Sequence, residues 1–323
     1  MTNLKLEYLI CGSPTDAFFS QIAFFRLCLN RLGKTYRKAR LVAVFGDQMK
    51  EVIPNRWRPY FKNIEVHWAH EIGAENPNHV LQHNRRFDLI DPSADVSFIC
   101  DADVAVLRPM DDLVSELISR PKLAGVIAHY HFPWGGREGD PDEDWRELSE
   151  GVLGKEIARP FTYTLTPDEL GQRAPFYINF GMLAGTPDLL ARFHNRDMVI
   201  RQEVAKYLGD WWAPQVSLSL TCADLELATQ CLPMRYNFPN DPKAVEFHPG
   251  ELEQVVFLHY LRREHFKREE IFVNESAFQE FLSMPLSGAN AEFQTFVKTA
   301  TSGSFPFPAK TPFGGFSRIN PWR

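Results

Sequence analysis

The sequence lacks a long hydrophobic run, an excess of positive charge and a cationic leader. No stretch approaches the roughly 18 apolar residues of a membrane-spanning helix, so we expect a soluble protein. The N-terminal residues 1–7 are not a cationic start followed by an apolar stretch, and no signal peptide is therefore expected. The 35 basic and 41 acidic residues give a net charge of −6, which argues against a nucleic-acid partner.

Cysteine is also scarce. The five cysteines are odd in number, widely spaced and mostly placed inside apolar runs: Cys11, Cys28, Cys100, Cys222 and Cys231. This pattern favours reduced, buried thiols over a disulfide framework or a zinc site. We therefore expect a cytoplasmic protein.

The most informative feature that is present is an apolar segment followed by two acids. Residues 98–107 predict a buried strand with Asp101 and Asp103 after it. Side chains alternate along an extended strand, so the two carboxylates point to the same side. Such a pair suits Mg²⁺ or Mn²⁺, and an ion held there can bind a diphosphate. The spacing alone supports a solvated acidic loop equally well.

The segments before the acidic pair predict an α/β fold. Strands over residues 8–11, 41–45 and 64–68 alternate with helical segments, one beginning at Asp16 and another over residues 78–90. This alternation is typical of a mainly parallel, Rossmann-like sheet with helices on its faces. Because ligands collect at the C-terminal ends of such strands, the loop after Cys11 and the acidic pair are expected to line one crevice.

The second half of the sequence predicts further parts of the molecule. Residues 130–175 form a polar excursion long enough for a lid or binding loop. Helices are predicted over 187–208, 212–230 and 275–300, and a late strand over 255–260. We place a domain boundary at residue 270, which gives a main domain (1–270) and a C-terminal helical extension (271–323).

The Phe- and Pro-rich tail over residues 302–323 contains the basic residues Lys310, Arg318 and Arg323. Such a tail is compatible with packing on the domain, with disorder, or with a basic-aromatic contact to a membrane surface.

Four segments together resemble a known family. They are the Asp101-Ala102-Asp103 segment with Leu107–Leu113 behind it, the strand Phe176–Leu183, the Pro214-Gln215 helix with Leu232–Asn237 after it, and Val256–Tyr260. Their order resembles that of GT-A nucleotide-sugar glycosyltransferases, in particular the family of glycogenin and the bacterial lipopolysaccharide galactosyl- and glucosyltransferases. The resemblance spans roughly residues 5–265 and implies a GT-A fold.

The resemblance implies a metal site and a set of donor contacts. It makes Asp101, Asp103 and His259 the metal ligands, and the imidazole favours Mn²⁺ over Mg²⁺. Asp101 would also contact the donor. The further donor-binding positions that it implies are Cys11, Gly12 and Ser13 for base and ribose, Arg86 (or Arg85) on the donor, and Arg262, Arg263 or Lys267 for the phosphates.

The resemblance also implies a catalytic face. Asn179 and Gly181 match the family's Asn-x-Gly strand that contacts the transferred sugar, and Gln215 matches a glutamine beside the anomeric carbon. We take Asn179 and Gln215 as the candidate catalytic residues. Pro214 stands where the family has a sugar-binding Asp, so the identity of the sugar does not follow.

The function that follows is a metal-dependent, retaining glycosyltransferase. The implied donor is a nucleoside-diphosphate sugar, with UDP first, and the acceptor is a glycan or lipid-linked hydroxyl. The location implied is the cytoplasm, with the tail as a contact to the inner membrane face. Two alternatives stay open at this point: a haloacid-dehalogenase-type phosphatase, whose signature is also Asp-x-Asp after a strand, and a non-catalytic nucleotide-sugar-binding protein of the same fold.

Overall fold

The structure is a computed structural model, and it describes residues 4–46, 52–69, 85–132, 140–167 and 170–308. The strands in these ranges are β1 (Leu6–Gly12), β2 (Arg40–Phe45), β3 (Glu65–Trp68), β4 (Val96–Cys100), β5 (Val104–Val106), β6 (Leu123–Ile127), β7 (Phe161–Thr162), β8 (Arg173–Ala174), β9 (Ile178–Gly185), β10 (Thr229–Cys231), β11 (Phe238–Pro239) and β12 (Phe257–His259). The α-helices are α1 (Asp16–Arg31), α2 (Lys34–Arg37), α3 (Asp111–Ser119), α4 (Pro141–Leu153), α5 (Pro187–Leu208), α6 (Ala213–Asp224), α7 (Pro242–Phe247), α8 (Glu275–Ser283) and α9 (Gly288–Thr301).

The central sheet has the strand order β3-β2-β1-β4-β9-β6-β10. β1 runs parallel to β2 and β4, β2 runs parallel to β3, and β6 runs parallel to β10. β9 is antiparallel to both of its neighbours, β4 and β6. A smaller sheet of β11, β12 and β5 adjoins it. The prediction of a mainly parallel sheet flanked by helices is confirmed.

Both faces of the sheet are covered, because alternate residues of each strand enter different cores. In β1, Tyr8 and Ile10 lie in the core that also contains α1 and the C-terminal helices. Leu9 and Cys11 lie in the core that contains α5 and α6. The apolar run of β1 is therefore buried on both sides, and its C-terminal end is held between two helical layers.

The C-terminal helices pack on α1 through aromatic rings. Phe24 of α1 stacks on Phe272 with ring centroids 4.0 Å apart and meets Phe293 edge-on at 6.2 Å. The described end of the tail continues this layer, since Phe307 packs edge-on against Trp57. The predicted boundary at residue 270 stays a prediction. Lys310, Arg318 and Arg323, the basic residues of the predicted membrane contact, lie outside the described residues.

The structure differs from the sequence expectation in five segments. The helix expected over 212–230 ends at Asp224 and is followed by β10, and the helix expected over 275–300 is two helices, α8 and α9. The excursion over 130–175 contains a full helix, α4, which begins at an N-cap where the Asp140 side chain accepts from the Asp142 N–H, and it buries Trp145. Of the helix expected over 78–90, residues 78–84 lie outside the described residues, and 85–89 form a 3-10 helix. The late strand is shorter than expected, since β12 comprises three residues. In the described part of the chain, we find no helix with the length and apolar character to cross a membrane.

The aromatic layer yields a stability prediction. Phe24→Ala should lower the free energy of unfolding by roughly 3–5 kcal/mol, because it leaves a cavity under Phe272 and Phe293. Urea unfolding followed by circular dichroism measures the change. Val199→Ala on α5, where the side chain is half exposed, should change it by less than about 0.5 kcal/mol. A loss no larger than that of the control would contradict the packing of the C-terminal helices on α1.

Candidate functional site

A cavity of about 360 Å³ lies at the C-terminal edge of the parallel strands. Five segments contribute to its wall: Cys11, Phe18 and Gln21 from the end of β1 and from α1; Asp101 and Asp103 from the turn between β4 and β5; Asn179 and Phe180 from β9; Trp211, Trp212, Pro214 and Gln215 around the start of α6; and Arg263, Arg268 and Glu269 after β12. The predicted crevice therefore exists, and it has polar groups at its centre.

The pairing of β5 with β12 brings His259 to the two aspartates. β12 runs antiparallel to β5 with His259 opposite Val104, the residue after Asp103. The register continues beyond the strands, because the Tyr260 N–H donates to the Asp103 carbonyl at 3.0 Å. His259 Nε2 lies 3.3 Å from Asp103 Oδ1 and 3.9 Å from Asp101 Oδ2. Residues more than 150 positions apart in sequence thus meet at one point.

The three side chains fit a divalent cation. Their candidate ligand atoms all lie within 4.8 Å of one another, and ligands to one such ion at about 2.0–2.2 Å each are separated by distances of this order. Burial lowers the pKa of His259, against the opposing effect of the Asp101 carboxylate. The imidazole is therefore neutral at pH 7, and neutral imidazole is the form that ligates metals. One nitrogen and carboxylate oxygens form a donor set that suits Mn²⁺.

Positive charge faces the acidic pair from the segment after β12. Arg268 forms an ion pair with Asp103, and it also contacts Glu269 at 3.3 Å. Arg263 pairs with the same Glu269 at 2.7 Å. The two guanidinium groups therefore form one wall of the cavity, next to the candidate cation site.

The Asn179–Gly181 pair has a supporting role that the sequence did not reveal. Asn179 Oδ1 accepts from the Gly181 N–H and from Asn237 Nδ2, each at 2.9 Å. A Cβ at Gly181 would lie 2.3 Å from Asn237 Oδ1 and 2.5 Å from His259 Nδ1. Glycine at this position is therefore required for the close approach of His259 to β9.

The start of α6 carries the predicted Pro214 and Gln215. Proline is accommodated because it lies in the first turn of the helix, where its missing N–H is not needed. α6 is held to α5 by Asp197, whose Oδ1 accepts from Ser217 Oγ at 2.6 Å. Burial raises the pKa of Asp197 to about 6. Gln215 therefore lies on a rigid helix start, but no carboxylate occupies position 214.

The end of β1 reaches the cavity through Cys11. Burial raises the pKa of the Cys11 thiol, so it is a protonated wall residue and not a nucleophile. Gly12 and Ser13 are buried directly behind it. A Cβ at Gly12 would meet the ring of Phe18 at 2.4 Å, so this glycine permits the cavity-lining position of Phe18.

Three predicted donor-binding side chains lie away from the cavity wall. Arg262 donates to Asp241 at 2.6 Å, and Lys267 is 75% exposed and paired with Glu270. Arg86 is fully buried and donates to the Cys100 carbonyl at 2.5 Å, which supports the end of β4. Of the three cations predicted for the phosphates, Arg263 lines the cavity and Arg262 and Lys267 do not, and the described Arg268 lines it as well.

Sequence reasoning also missed several residues of the wall. Trp211 is 68% exposed and lies at the cavity with Trp212 beside it. Arg268 was overlooked next to Lys267, although both are basic, because the sequence does not say which of two adjacent side chains turns inward. Asn237 was noted only as part of a motif. The Trp-Trp pair that lies three and four residues before Gln215 was a usable signal for the wall.

No protein-family model matches this sequence, and no curated protein matches it. Solved structures do. The galactosyltransferase LgtC in complex with donor and acceptor sugar analogs aligns with a TM-score of 0.52 at 13% identity, over 92% of this chain and 95% of that one. The apo form of the glycosyltransferase GlyE from Streptococcus pneumoniae TIGR4 aligns with a TM-score of 0.50 at 15% identity, over 95% of this chain and 66% of that one. The chain thus has the GT-A glycosyltransferase fold, as the resemblance predicted.

The close approach at Gly181 yields a prediction. Gly181→Ala should displace His259 or Asn237 and reduce Mn²⁺ affinity by at least about tenfold, the usual scale for disturbed metal ligation. Titration of the protein with Mn²⁺ under electron paramagnetic resonance measures it. The matched control is Gly250→Ala, where a Cβ meets nothing within 4 Å. Equal affinity in the two variants would contradict the role assigned to Gly181.

Proposed function

We propose that this protein is a metal-dependent glycosyltransferase that moves a sugar from a nucleoside diphosphate to an acceptor hydroxyl. The observation that carries the proposal is the convergence of Asp101, Asp103 and His259 in the cavity at the C-terminal edge of the sheet. These three residues would hold the cation, Mn²⁺ before Mg²⁺. When bound, the ion would supply positive charge to the diphosphate of the donor.

The chain's own cations support the same assignment. The barrier to sugar transfer lies in breaking the anomeric C–O bond while negative charge builds on the departing diphosphate. Arg268 and Arg263 are placed to stabilise that charge, because both line the cavity within an ion-paired cluster that includes Asp103. Fixed guanidinium groups in a partly enclosed site stabilise such charge more than bulk water does.

Retention of configuration belongs to the same proposal, and the side chains of the described cavity wall argue against a covalent double displacement as its route. Asn179 and Gln215 present amides, and Pro214 presents no acid. Besides the metal-binding pair, the carboxylate among the described wall residues is Glu269, and it is engaged by Arg263 and Arg268. A covalent double displacement would need an available carboxylate nucleophile. Substitution on one face, with Asn179 and Gln215 orienting the sugar, fits this wall better.

Trp211 supports a carbohydrate acceptor. An indole that is 68% exposed at a cavity mouth offers an apolar face on which the C–H face of a sugar ring can stack. The acceptor proposed is a glycan or a lipid-linked sugar. A cytoplasmic location, with the tail as a peripheral contact to the inner membrane face, belongs to the same proposal.

One alternative has a specific observation in its favour. Pro214 removes a sugar-binding acid of the resembled family, which suits a non-catalytic nucleotide-sugar-binding protein. Binding of a nucleoside diphosphate without turnover of any nucleotide sugar would favour it. The phosphatase alternative finds no support among the structural neighbours.

The donor site is tested by thermal shift with nucleoside diphosphates in the presence and absence of Mn²⁺. A nucleotide at 100 times its Kd stabilises the folded state by about 2.7 kcal/mol, which raises Tm by roughly 5 °C in a chain of this size. We expect this rise with UDP and Mn²⁺ together, and its loss in Asp103→Ala. Asp188→Ala, an exposed acid in the first turn of α5, should keep it. No rise with any nucleotide would refute the proposal.

The position of Arg268 on the cavity wall gives a second prediction. Arg268→Gln should weaken UDP binding by roughly 10–100-fold, because a charge-assisted hydrogen bond contributes about 1.5–3 kcal/mol. Isothermal titration calorimetry at saturating Mn²⁺ measures it. The neighbouring variant Lys267→Gln removes an exposed charge and should stay within about twofold of the parent protein. A larger effect at Lys267 than at Arg268 would reverse the assignment.

A further inference from the structure

Two buried polar atoms next to the candidate cation site lack a partner among the described residues. They are Asn237 Oδ1 and His259 Nδ1. Both lie within 2.5 Å of a single point, the position that a Cβ would occupy at Gly181. An orphaned amide oxygen and an orphaned imidazole nitrogen therefore share the small space that the missing side chain leaves. Buried polar atoms without partners are rare, so a pair of them in one place calls for an explanation.

The orientation of the Asn237 amide is fixed by a backbone group. The Gly181 N–H can only donate, and it donates to Asn179 Oδ1. That oxygen and the Asn179 carbonyl also accept from Asn237 Nδ2, at 2.9 and 3.3 Å. An amide turned the other way would place its oxygen against two acceptors. The Asn237 oxygen is therefore the atom that faces the Gly181 space.

The orientation of the amide determines the tautomer of the imidazole. An amide oxygen can only accept, so a hydrogen bond between these two atoms requires that the imidazole nitrogen carry the hydrogen. In a neutral imidazole with hydrogen on Nδ1, Nε2 has a lone pair and no hydrogen. His259 Nε2 is the atom that lies 3.3 Å from Asp103 Oδ1 and 3.9 Å from Asp101 Oδ2.

We propose that Asn237 is a positioning residue which accepts from His259 Nδ1–H and so keeps Nε2 available as a ligand. The Gly181 N–H determines that Asn179 Oδ1 is an acceptor, and this acceptor fixes the orientation of the Asn237 amide. The amide oxygen in turn determines which nitrogen of the imidazole carries the hydrogen. The proposal deepens the metal site proposed above and rests on it for its functional meaning. Hydrogen-bond acceptors for the second ring nitrogen fix the ring orientation of a metal-binding histidine and raise its basicity.

The same arrangement gives Asn179 two distinct tasks. Its Oδ1 is occupied by Gly181 and Asn237, while the residue lines the cavity. Its Nδ2 is thus the part of the side chain that is available to a substrate. Asn179→Asp keeps the accepting oxygen but replaces that donor by a second acceptor and adds a negative charge.

The test measures the tautomer directly, without metal or substrate. Protein labelled with ¹⁵N-histidine is examined by long-range ¹H–¹⁵N correlation near pH 7, and the His259 signals are assigned by their loss in His259→Gln. We expect Nδ1 to be protonated and Nε2 to be unprotonated in the parent protein. In Asn237→Leu the Nδ1–H population should fall, and Mn²⁺ affinity measured by paramagnetic resonance should drop about 10–100-fold.

Two further variants separate this role from general damage. Asn237→Asp loses the donor to Asn179 but retains an accepting oxygen toward His259, so Nδ1 should stay protonated, in a neutral or a doubly protonated ring, even where the fold is less stable. Asn240→Leu removes a buried amide three residues on, which bonds to Asn290 and to the Arg262 carbonyl. It should leave both the tautomer and the Mn²⁺ affinity within about twofold of the parent protein.

An Nε2–H tautomer in the parent protein would overturn the proposal, and so would an unchanged tautomer in Asn237→Leu. If Asn237→Leu does not fold, the parent protein and Asn237→Asp still decide the question. If the tautomer is as expected but Mn²⁺ does not bind to the parent protein, the metal site of the proposed function fails while the Asn237–His259 relation stands.

Discussion

The pairing of β5 with β12 is the contact on which the candidate site depends. β5 directly follows the acidic turn, and β12 is a three-residue strand whose last residue is His259. The pairing extends at both ends, through the Leu107 N–H to the Val256 carbonyl and the Tyr260 N–H to the Asp103 carbonyl. Without this register the acidic pair would lie at the edge of the sheet with no third ligand. The small sheet therefore joins the acidic turn after β4 to the segment after β12, which contains Arg263 and Arg268.

Local sequence patterns were sufficient for most of the framework. The alternation of apolar strands and helical segments predicted a parallel sheet, and the spacing of Asp101 and Asp103 predicted that both would face one side. These properties depend on neighbouring residues alone. The antiparallel insertion of β9 and the packing of Phe24 on Phe272 depend on distant segments, and no local pattern encodes them.

The positions of the site residues in the structure also depend on distant segments and not on local sequence patterns. Lys267 and Arg268 are adjacent and both basic, yet one is solvated and the other reaches Asp103. Which one turns inward follows from the direction of the chain after β12, which is an irregular segment with no periodicity to interpret. Asn237 could not be identified either, because its importance comes from an absent side chain at Gly181, 56 positions earlier in the sequence. Helix α4 in the excursion was missed because its Pro- and Asp-rich start is equally typical of a loop.

The ion pair between Arg268 and Asp103 has a thermodynamic consequence. A divalent ion and the Arg268 guanidinium would both bind the Asp103 carboxylate, so they would compete for it when no nucleotide is bound. In the proposed function, a diphosphate that engaged Arg268 would release Asp103 for the ion, and each of these two ligands would then increase the affinity for the other by the same factor. If both ligands bind as proposed, the single side chain of Arg268 would make cation and donor binding cooperative. The cation concentration required for half-saturation would then fall as the nucleotide concentration rises.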